Sequence, residues 1–160
     1  MNCLFLLQFK EELMSTIIFI MEQFIMDKII SSEVQRKINT AISHINEDHD
    51  TLFANLEKLR HIALHPESHL YAINILENFI SLFLEHVMKE EQLLRQYLPV
   101  KIVEQHIKLH QSELTLLDEN LARLKRELSL YNIKHVVTQL NQEFQKHVNQ
   151  CDTEILKRLQ

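Results

Sequence analysis

Two stretches of the sequence place a pair of histidines four residues apart, a spacing that puts both imidazoles on one face of an α-helix. In EQHIKLHQSEL the pair is His106 and His110, and in LRHIALHPESH it is His61 and His65. Two imidazoles on one helix face are a common way to hold a transition-metal ion. Because both pairs have the same spacing, the other residues of the chain must decide which pair binds a metal.

The pair at 106 and 110 belongs to a larger set of metal-capable side chains, which lie within the apolar stripes of four helical segments. His86 and Glu90 are also four residues apart and can point inward together. His147 and Asp152 are five apart, so they converge only if the helix bulges locally or the carboxylate reaches around it. The complete set of candidate ligands is His49, His86, Glu90, His106, His110, His147 and Asp152.

A set of five imidazoles and two carboxylates suits a pair of metal ions. Two six-coordinate ions offer twelve ligand positions, and the five imidazoles, two bridging carboxylates and one bridging oxide or hydroxide fill all but one. The open position, on one ion only, is where a small external ligand could bind. Structural zinc prefers four ligands and cysteine, so this set favours iron. We therefore predict two iron ions with an oxo or hydroxo bridge.

The second histidine pair has no comparable partners. His61 and His65 fall at the end of a predicted helix, directly before Pro66, where the helix dipole favours a cation. No carboxylate pair of matching spacing accompanies them, so we predict capping or surface roles. His44 and His135 also lack a matching partner and are not predicted to be ligands.

The elements that must position these ligands are predicted to be long helices. The chain of 160 residues has no glycine and only two prolines, so it lacks the usual source of the positive φ angles that β-turns need. Apolar residues recur at three- and four-residue spacing, which is typical of helices. Short connections between long helices predict an all-α, up-down-up-down four-helix bundle. The predicted helices cover about residues 32–65, 66–97, 99–129 and 133–159.

Local signals set these predicted boundaries. Ser32 and Gln35 have the spacing of a capping box, which predicts that the first helix of the bundle begins at Ser32. Pro66 and Pro99 are suitable first-turn residues and predict the starts of the second and third helices. The stretch LYNIK at 130–134 is the predicted turn before the last helix.

Residues 1–31 form a separate, strongly apolar segment before the bundle domain at 32–160. Lys10, Glu11 and Glu22 interrupt the segment, so no uncharged run is long enough to span a bilayer. It has neither the positively charged start nor the small-residue cleavage site of a signal peptide. We predict an additional helix, which could pack on the bundle, contact a partner or a second copy of the chain through residues 1–30, or lie on a membrane surface.

Charge and cysteine content argue against other classes of function. Seventeen basic and 22 acidic residues give a net charge of −5 without a basic face, so nucleic-acid binding is not expected. Cys3 and Cys151 lie at opposite ends of the chain without framework spacing, which is typical of reduced thiols in a cytoplasmic protein. For Cys151 a buried, inert thiol is the favoured interpretation.

The order of the candidate ligands resembles the hemerythrin family. The pattern His…His-x-x-x-Glu…His-x-x-x-His…His-x-x-x-x-Asp covers about residues 40–159, and bacterial members often show the doubled acid Glu90-Glu91. The resemblance implies a non-haem di-iron centre that binds dioxygen reversibly at the open position. It also implies that one iron is held by His106, His110 and His147, that the other is held by His49 and His86, and that Glu90 and Asp152 bridge them.

Other residues near the candidate ligands are expected to affect the site without binding the metal. Glu91 is predicted to be an exposed neighbour or a hydrogen-bond acceptor for a ligand histidine. Bacterial hemerythrins commonly have a tryptophan one turn before the last histidine, where this chain has Glu143 and Phe144. The shape of the ligand pocket is therefore expected to differ from theirs.

Three classes of function follow from this interpretation. The first is an oxygen-binding protein for storage, delivery or sensing. The second is an enzyme in which the same centre reduces peroxide or nitric oxide, or a protein that supplies iron for repair. The third is an interaction module in which residues 1–30 couple the bundle to a partner. The rate of autoxidation distinguishes the first class from the second, because a carrier should bind and release oxygen over many cycles, whereas an enzyme should consume its oxidant.

Overall fold

The structure is a computed structural model that describes the backbone of residues 3–159 and the side chains from residue 21 onward, except at 22, 24, 27, 30, 66 and 160. Over residues 3–159 the chain is almost entirely helical and contains no β-strand. The prediction of an all-α helical bundle is confirmed. The long helices are α1 (Cys3–Leu64), α2 (Ala72–Tyr97), α3 (Val100–Arg126) and α4 (Leu130–Lys146).

The chain divides into two compact units, Met1–Asn39 and Thr40–Gln160. In the first unit, Met21, Ile25 and Ile29 are large apolar side chains that are about half exposed. Most side chains on which the contacts predicted for residues 1–30 depend lie outside the described residues, as does that of Cys3. The domain boundary after residue 31 stays a prediction. Within the described part of the chain, no helix combines the length and the apolar character needed to cross a membrane.

The second unit is built around one apolar core to which all four long helices contribute. Leu76, Leu124 and Ile133 are completely buried and come from α2, α3 and α4, and Leu52 from α1 is almost as deep. Burying a side chain of this size stabilises the fold by roughly 1.5–3 kcal/mol. The connections between these helices are short, so successive helices run in opposite directions. Their inward faces meet in this core.

The predicted helix start at Ser32 is wrong, because α1 continues through this position. The Ser32 hydroxyl donates a hydrogen bond to the Ile29 carbonyl at 2.8 Å, which lets a serine sit inside a helix. The predicted start of the second helix at Pro66 is also wrong. Pro66–Tyr71 is a 3₁₀-helical turn, and α2 begins after it at Ala72.

The predicted turn at 130–134 lies too far along the chain. α3 ends at Arg126, and α4 begins at Leu130. Ser129 caps α4, because its hydroxyl accepts a hydrogen bond from the Asn132 backbone N–H at 3.3 Å. The Asn132 side chain donates to the Glu127 carbonyl at 2.9 Å and so closes the connection.

The chain leaves regular α geometry just after α4. His147–Asp152 is a π-helical segment, followed by a short helix α5 (Thr153–Leu156) and a 3₁₀ turn, Lys157–Leu159. The Thr153 hydroxyl donates to the Val148 carbonyl at 2.7 Å, five residues earlier in the chain. A π-helical turn contains more residues than an α-helical one. It is the local bulge that the five-residue spacing of His147 and Asp152 requires.

The core packing predicts a contrast between two leucine substitutions. Leu124→Ala should lower the free energy of unfolding by about 2–5 kcal/mol, because it leaves a cavity in a closely packed interior. The matched control is Leu70→Ala, since the Leu70 side chain is 77% exposed; it should change the free energy by less than about 0.5 kcal/mol. Urea denaturation measures both values, and equal losses would contradict this description of the core.

Candidate metal centre

All seven predicted ligands meet in the interior of the second unit. His49 and Asp152 are 103 residues apart in the sequence, yet their side chains are in contact. Each of the seven side chains is almost fully buried, and the most exposed, His49, is only 5% accessible. Helix α1 supplies His49, α2 supplies His86 and Glu90, α3 supplies His106 and His110, and the π-helical segment supplies His147 and Asp152.

Helix geometry explains why each element can deliver its ligands to one point. His106 and His110 are one turn apart on α3, and their ring centroids are separated by 4.4 Å. His86 and Glu90 share a face of α2 for the same reason. In the π-helical segment, His147 Nε2 lies 2.8 Å from Asp152 Oδ2. Because the bulge contains an extra residue, two side chains that are five residues apart point in the same direction.

The two carboxylates lie among the imidazoles. Asp152 Oδ2 is 2.9 Å from His49 Nε2 and 3.6 Å from His86 Nε2, and Asp152 Oδ1 is 3.4 Å from His106 Nε2. Together with the contact to His147, Asp152 therefore touches four histidines. Glu90 Oε2 lies 2.9 Å from His106 Nε2 and 3.2 Å from His110 Nε2.

The ligand atoms form two overlapping groups, each compact enough to hold a metal ion. Within each group the ligand atoms all lie within 4.8 Å of one another, and both carboxylates belong to both groups. The first group is His86, Glu90, His147 and Asp152, and the second is Glu90, His106, His110 and Asp152. The implied division of the histidines between two ions stays a prediction, because His147 falls with His86 here and His49 falls in neither group.

The hydrogen bonding of these atoms fits a metal. Among the described residues, both ring nitrogens of His86 and of His147, the Nε2 atom of His110, and one oxygen each of Glu90, Asp152 and Glu113 are buried without a hydrogen-bond partner. Some of them make short contacts, such as His147 Nε2 to Asp152, without hydrogen-bond alignment. A buried unpaired polar atom costs about 1–3 kcal/mol. A cation bound in the cluster would give the inward-facing Nε2 and carboxylate oxygen atoms a partner.

Two further carboxylates contact the ligand histidines from outside the cluster. Glu91 Oε1 lies 3.1 Å from His110 Nδ1, and Arg95 in turn holds Glu91 at 3.0 Å. Glu113 Oε2 lies 2.8 Å from His147 Nδ1, an ion-pair distance without hydrogen-bond alignment. An acceptor at Nδ1 leaves Nε2 free for a metal and fixes the ring orientation. Glu91 thus takes the acceptor role that the sequence left open.

The role of Glu113 was missed in the sequence. Its contact joins α3 to the π-helical segment, so no spacing within one helix could indicate it. A carboxylate three residues after His110 looks like an ordinary surface residue of α3. Only the rotation of α3 about its own axis, which the sequence does not give, points it toward His147.

The cluster shifts the pKa values of its own members. Burial lowers the pKa of His106, but contacts with Asp152 and Glu90 outweigh it and raise that pKa to about 9. Burial also lowers the pKa of His147, but contacts with Asp152 and Glu113 outweigh it and raise that pKa to about 10. Protons on these imidazoles compete with a metal, so metal binding should release them.

The carboxylates shift in the opposite direction. Burial raises the pKa of Glu90, but His106 and His110 bring it down to about 2. Burial also acts against ionisation of Asp152, yet its histidine neighbours hold the Asp152 pKa far below its usual range. Both carboxylates are therefore ionised at neutral pH and ready to bind a cation.

The remaining histidines and the described cysteine lie outside the cluster. The rings of His61 and His65 stack on each other at 4.1 Å at the exposed end of α1. His44 and His135 are exposed. Cys151 is half-buried, and burial followed by the charge of Asp152 raises the pKa of its thiol, which makes it less reactive.

Comparisons of this chain with protein-family models, with curated proteins and with solved structures find no match. The case for a metal centre therefore depends on the side chains themselves. Those side chains form a buried His/Glu/Asp group that could hold a metal ion.

The outer carboxylate contact predicts an effect on metal affinity. Glu113→Leu should weaken metal binding about 10–100-fold, because His147 loses the carboxylate in contact with its Nδ1 atom. Glu113→Gln keeps an acceptor oxygen and should lose less metal affinity than Glu113→Leu. The matched control is Glu119→Leu, which changes an exposed glutamate on the same helix. Competition with a coloured chelator measures the affinities, and equal effects of the two leucine substitutions would refute the positioning role.

The pKa shifts predict how the stability of the metal-free protein depends on pH. The pKa values of His106 and His147 lie above the ordinary 6.5, at about 9 and 10, so their stabilising contribution is complete below pH 6.5 and disappears as the pH rises through 9 to 10. The Glu90 pKa is lowered from 4.5 to about 2, so its contribution is present above pH 4.5 and is lost toward pH 2.

The melting temperature of the metal-free protein should therefore fall between pH 7 and pH 10. Metal-loaded protein should not show this alkaline loss, since its ligand histidines carry no proton at the coordinating nitrogen. Thermal denaturation across this range measures both forms. A metal-free protein that gains stability above pH 7 would contradict the assignment.

Proposed function

We propose that this chain is a hemerythrin-like protein, in which the seven buried ligands hold two iron ions and the centre binds dioxygen reversibly. The observation that supports the proposal most is the pair of overlapping ligand groups that share Glu90 and Asp152. Carboxylates within reach of two adjacent groups are suited to bridging two ions. A single ion would leave several of these buried nitrogens without a partner.

The type and number of ligands favour iron. A structural zinc site is closed by four ligands, often cysteines, and this cluster offers seven ligands without a sulfur. Imidazole and carboxylate together suit iron in its ferrous and ferric states. Because five imidazoles and two carboxylates do not fill two octahedral ions, room remains for a small external molecule.

The chain's own residues hold and orient the ions. Glu90 and Asp152 would hold both ions, and the imidazoles would bind them through the Nε2 atoms that face these carboxylates. Glu91 and Glu113 hold the rings of His110 and His147 from their Nδ1 sides. When bound, the two ferrous ions supply the electrons for reversible dioxygen binding.

Aromatic side chains keep water away from the cluster. The Phe83 ring lies 5.6 Å from that of His147 and 6.0 Å from that of His86, and Phe144 lies 6.3 Å from His49. These rings are almost completely buried. An oxygen carrier needs such a dry surrounding, because water and free protons promote side reactions at the centre.

Iron content and visible spectra test the proposal. Purified protein should contain about two irons per chain, and a colour should appear under air and fade on degassing. Two irons with an irreversible spectral change would favour the enzyme that reduces peroxide or nitric oxide. Protein with no iron, or with zinc in its place, would refute the proposal.

A matched pair of histidine substitutions sharpens the test. His110→Ala should lower the iron content and abolish the oxygen-dependent spectrum, because it removes a fully buried ligand. His65→Ala should change neither quantity, since His65 lies in the other pair with the same spacing. Equal losses in both variants would show that the two pairs are wrongly assigned.

A further inference from the structure

The second histidine pair, His61 and His65, plays no part in the buried cluster. The two rings stack with their centroids 4.1 Å apart and an angle of 23° between their planes. In the part of the chain that the structure describes, neither ring donates a hydrogen bond to a carbonyl at the end of α1. The pair is therefore a surface feature and not a hydrogen-bonded helix cap.

Both rings are open to water. His61 is exposed, and the side chain of His65 is 45% exposed. The ligand histidines of the buried cluster are at most 5% accessible. A dissolved ion can therefore reach the second pair without any opening of the bundle.

The spacing and the stacking give this pair the geometry of a chelate. Two rings that lie one turn apart on a helix can point a nitrogen each to the same side. Histidines at this spacing hold one ion together in helical zinc sites. Exposed side chains rotate rapidly, so a small turn of each ring brings the two nitrogens onto a common ion, and water fills the remaining positions.

Glu67 contacts the outer nitrogen of one of the two rings. Its Oε1 atom lies 3.5 Å from His65 Nδ1, and both residues belong to the turn that follows α1. A carboxylate on the Nδ1 side orients the ring and leaves Nε2 for a metal. Glu91 and Glu113 contact two histidines of the buried cluster in the same way.

The charges around the pair are compatible with a bound cation. The rings lie at the carboxyl end of α1, where the helix dipole is negative. Arg60 is the basic residue next to His61, and Glu57 neutralises it at 2.7 Å. Lys58 lies one turn before His61, and the negative charge of Glu67 balances it.

We propose that His61 and His65 form a second metal site, an exposed two-histidine chelate for a late first-row divalent ion such as copper(II), nickel(II) or zinc(II). Ferrous iron binds imidazole less tightly than these ions do, so the pair adds nothing to the iron content expected above. Because the protein supplies only two ligands, the bound ion exchanges with solution. The site shares no residue with the buried cluster and does not rest on the function proposed above.

Retention on an immobilised nickel(II) resin tests this site, because such a resin reaches only exposed side chains. The full chain without an affinity tag should be retained and should elute with imidazole. His61→Ala and His65→Ala should each abolish the retention, since either substitution destroys the chelate. The matched controls are His44→Ala and His135→Ala, which change exposed histidines outside the pair and should elute with the wild type.

Calorimetric titration with zinc(II) measures the size of the effect. Metal-loaded protein is first passed over a chelating resin, which strips exposed ions and leaves buried ones. His61→Ala should then weaken the exposed zinc site about 100-fold or more, because two linked ligands bind far more tightly than one. The variant with both histidines replaced should be no weaker than either single variant. Glu67→Leu should weaken the site about 10-fold, because His65 loses the carboxylate at its Nδ1 atom.

Absence of retention of the wild type on nickel(II) would overturn the proposed site. Equal losses in His61→Ala and His44→Ala would also overturn it, because they would show binding by scattered histidines. Partial losses that add up in the double variant would show that the two rings bind separately and would refute the chelate. If the purified protein holds no iron while nickel retention is intact, the function proposed above fails and the second site stands.

Discussion

The structure depends on two carboxylates that are completely shut off from water. Glu90 and Asp152 lie inside an apolar bundle, where an isolated negative charge is very costly. Positive charge must therefore surround them, whether from protonated imidazoles or from a metal. Since the imidazoles come from four separate elements, those elements can pack only in an arrangement that brings them together. The packing of the helices creates the site, and the contacts within the site in turn favour this packing over others.

Periodicity was enough to predict the helices and the pairs His86/Glu90 and His106/His110, because both depend on spacing within one element. It could not predict that His147 and Asp152 converge, since that needs the π-helical bulge, and the order of the motifs was what pointed to this pair. The stripes that bury Leu124 and Ile133 also contain His110 and His147, so one pattern located the core and the cluster together. Helix ends were harder to predict. Ser32 can either cap a helix or bond back to the preceding turn, and the sequence is the same in both cases.

The contacts between helices depend on a property that periodicity does not supply. The rotation of each helix about its axis decides whether Glu113 faces His147 or the solvent. The same limit explains why two histidine pairs of identical spacing differ. His106 and His110 meet carboxylates from α2 and from the π-helical segment, whereas His61 and His65 stack on each other near Glu67. What a helix face binds is decided by its neighbours.

The π-helical segment also changes the phase of the apolar stripe. Before the segment, the buried positions Leu140, Phe144 and His147 are separated by four and then three residues. The next position at this helical spacing would be 151, but the buried positions resume one residue later, at Asp152 and Ile155. The number of residues across the bulge is therefore fixed more tightly than their identity. Exposed Asn149 and Gln150 can vary freely, but a lost or gained residue here would rotate the rest of the chain away from the core. Among related chains, insertions and deletions should be absent from this turn even where substitutions accumulate.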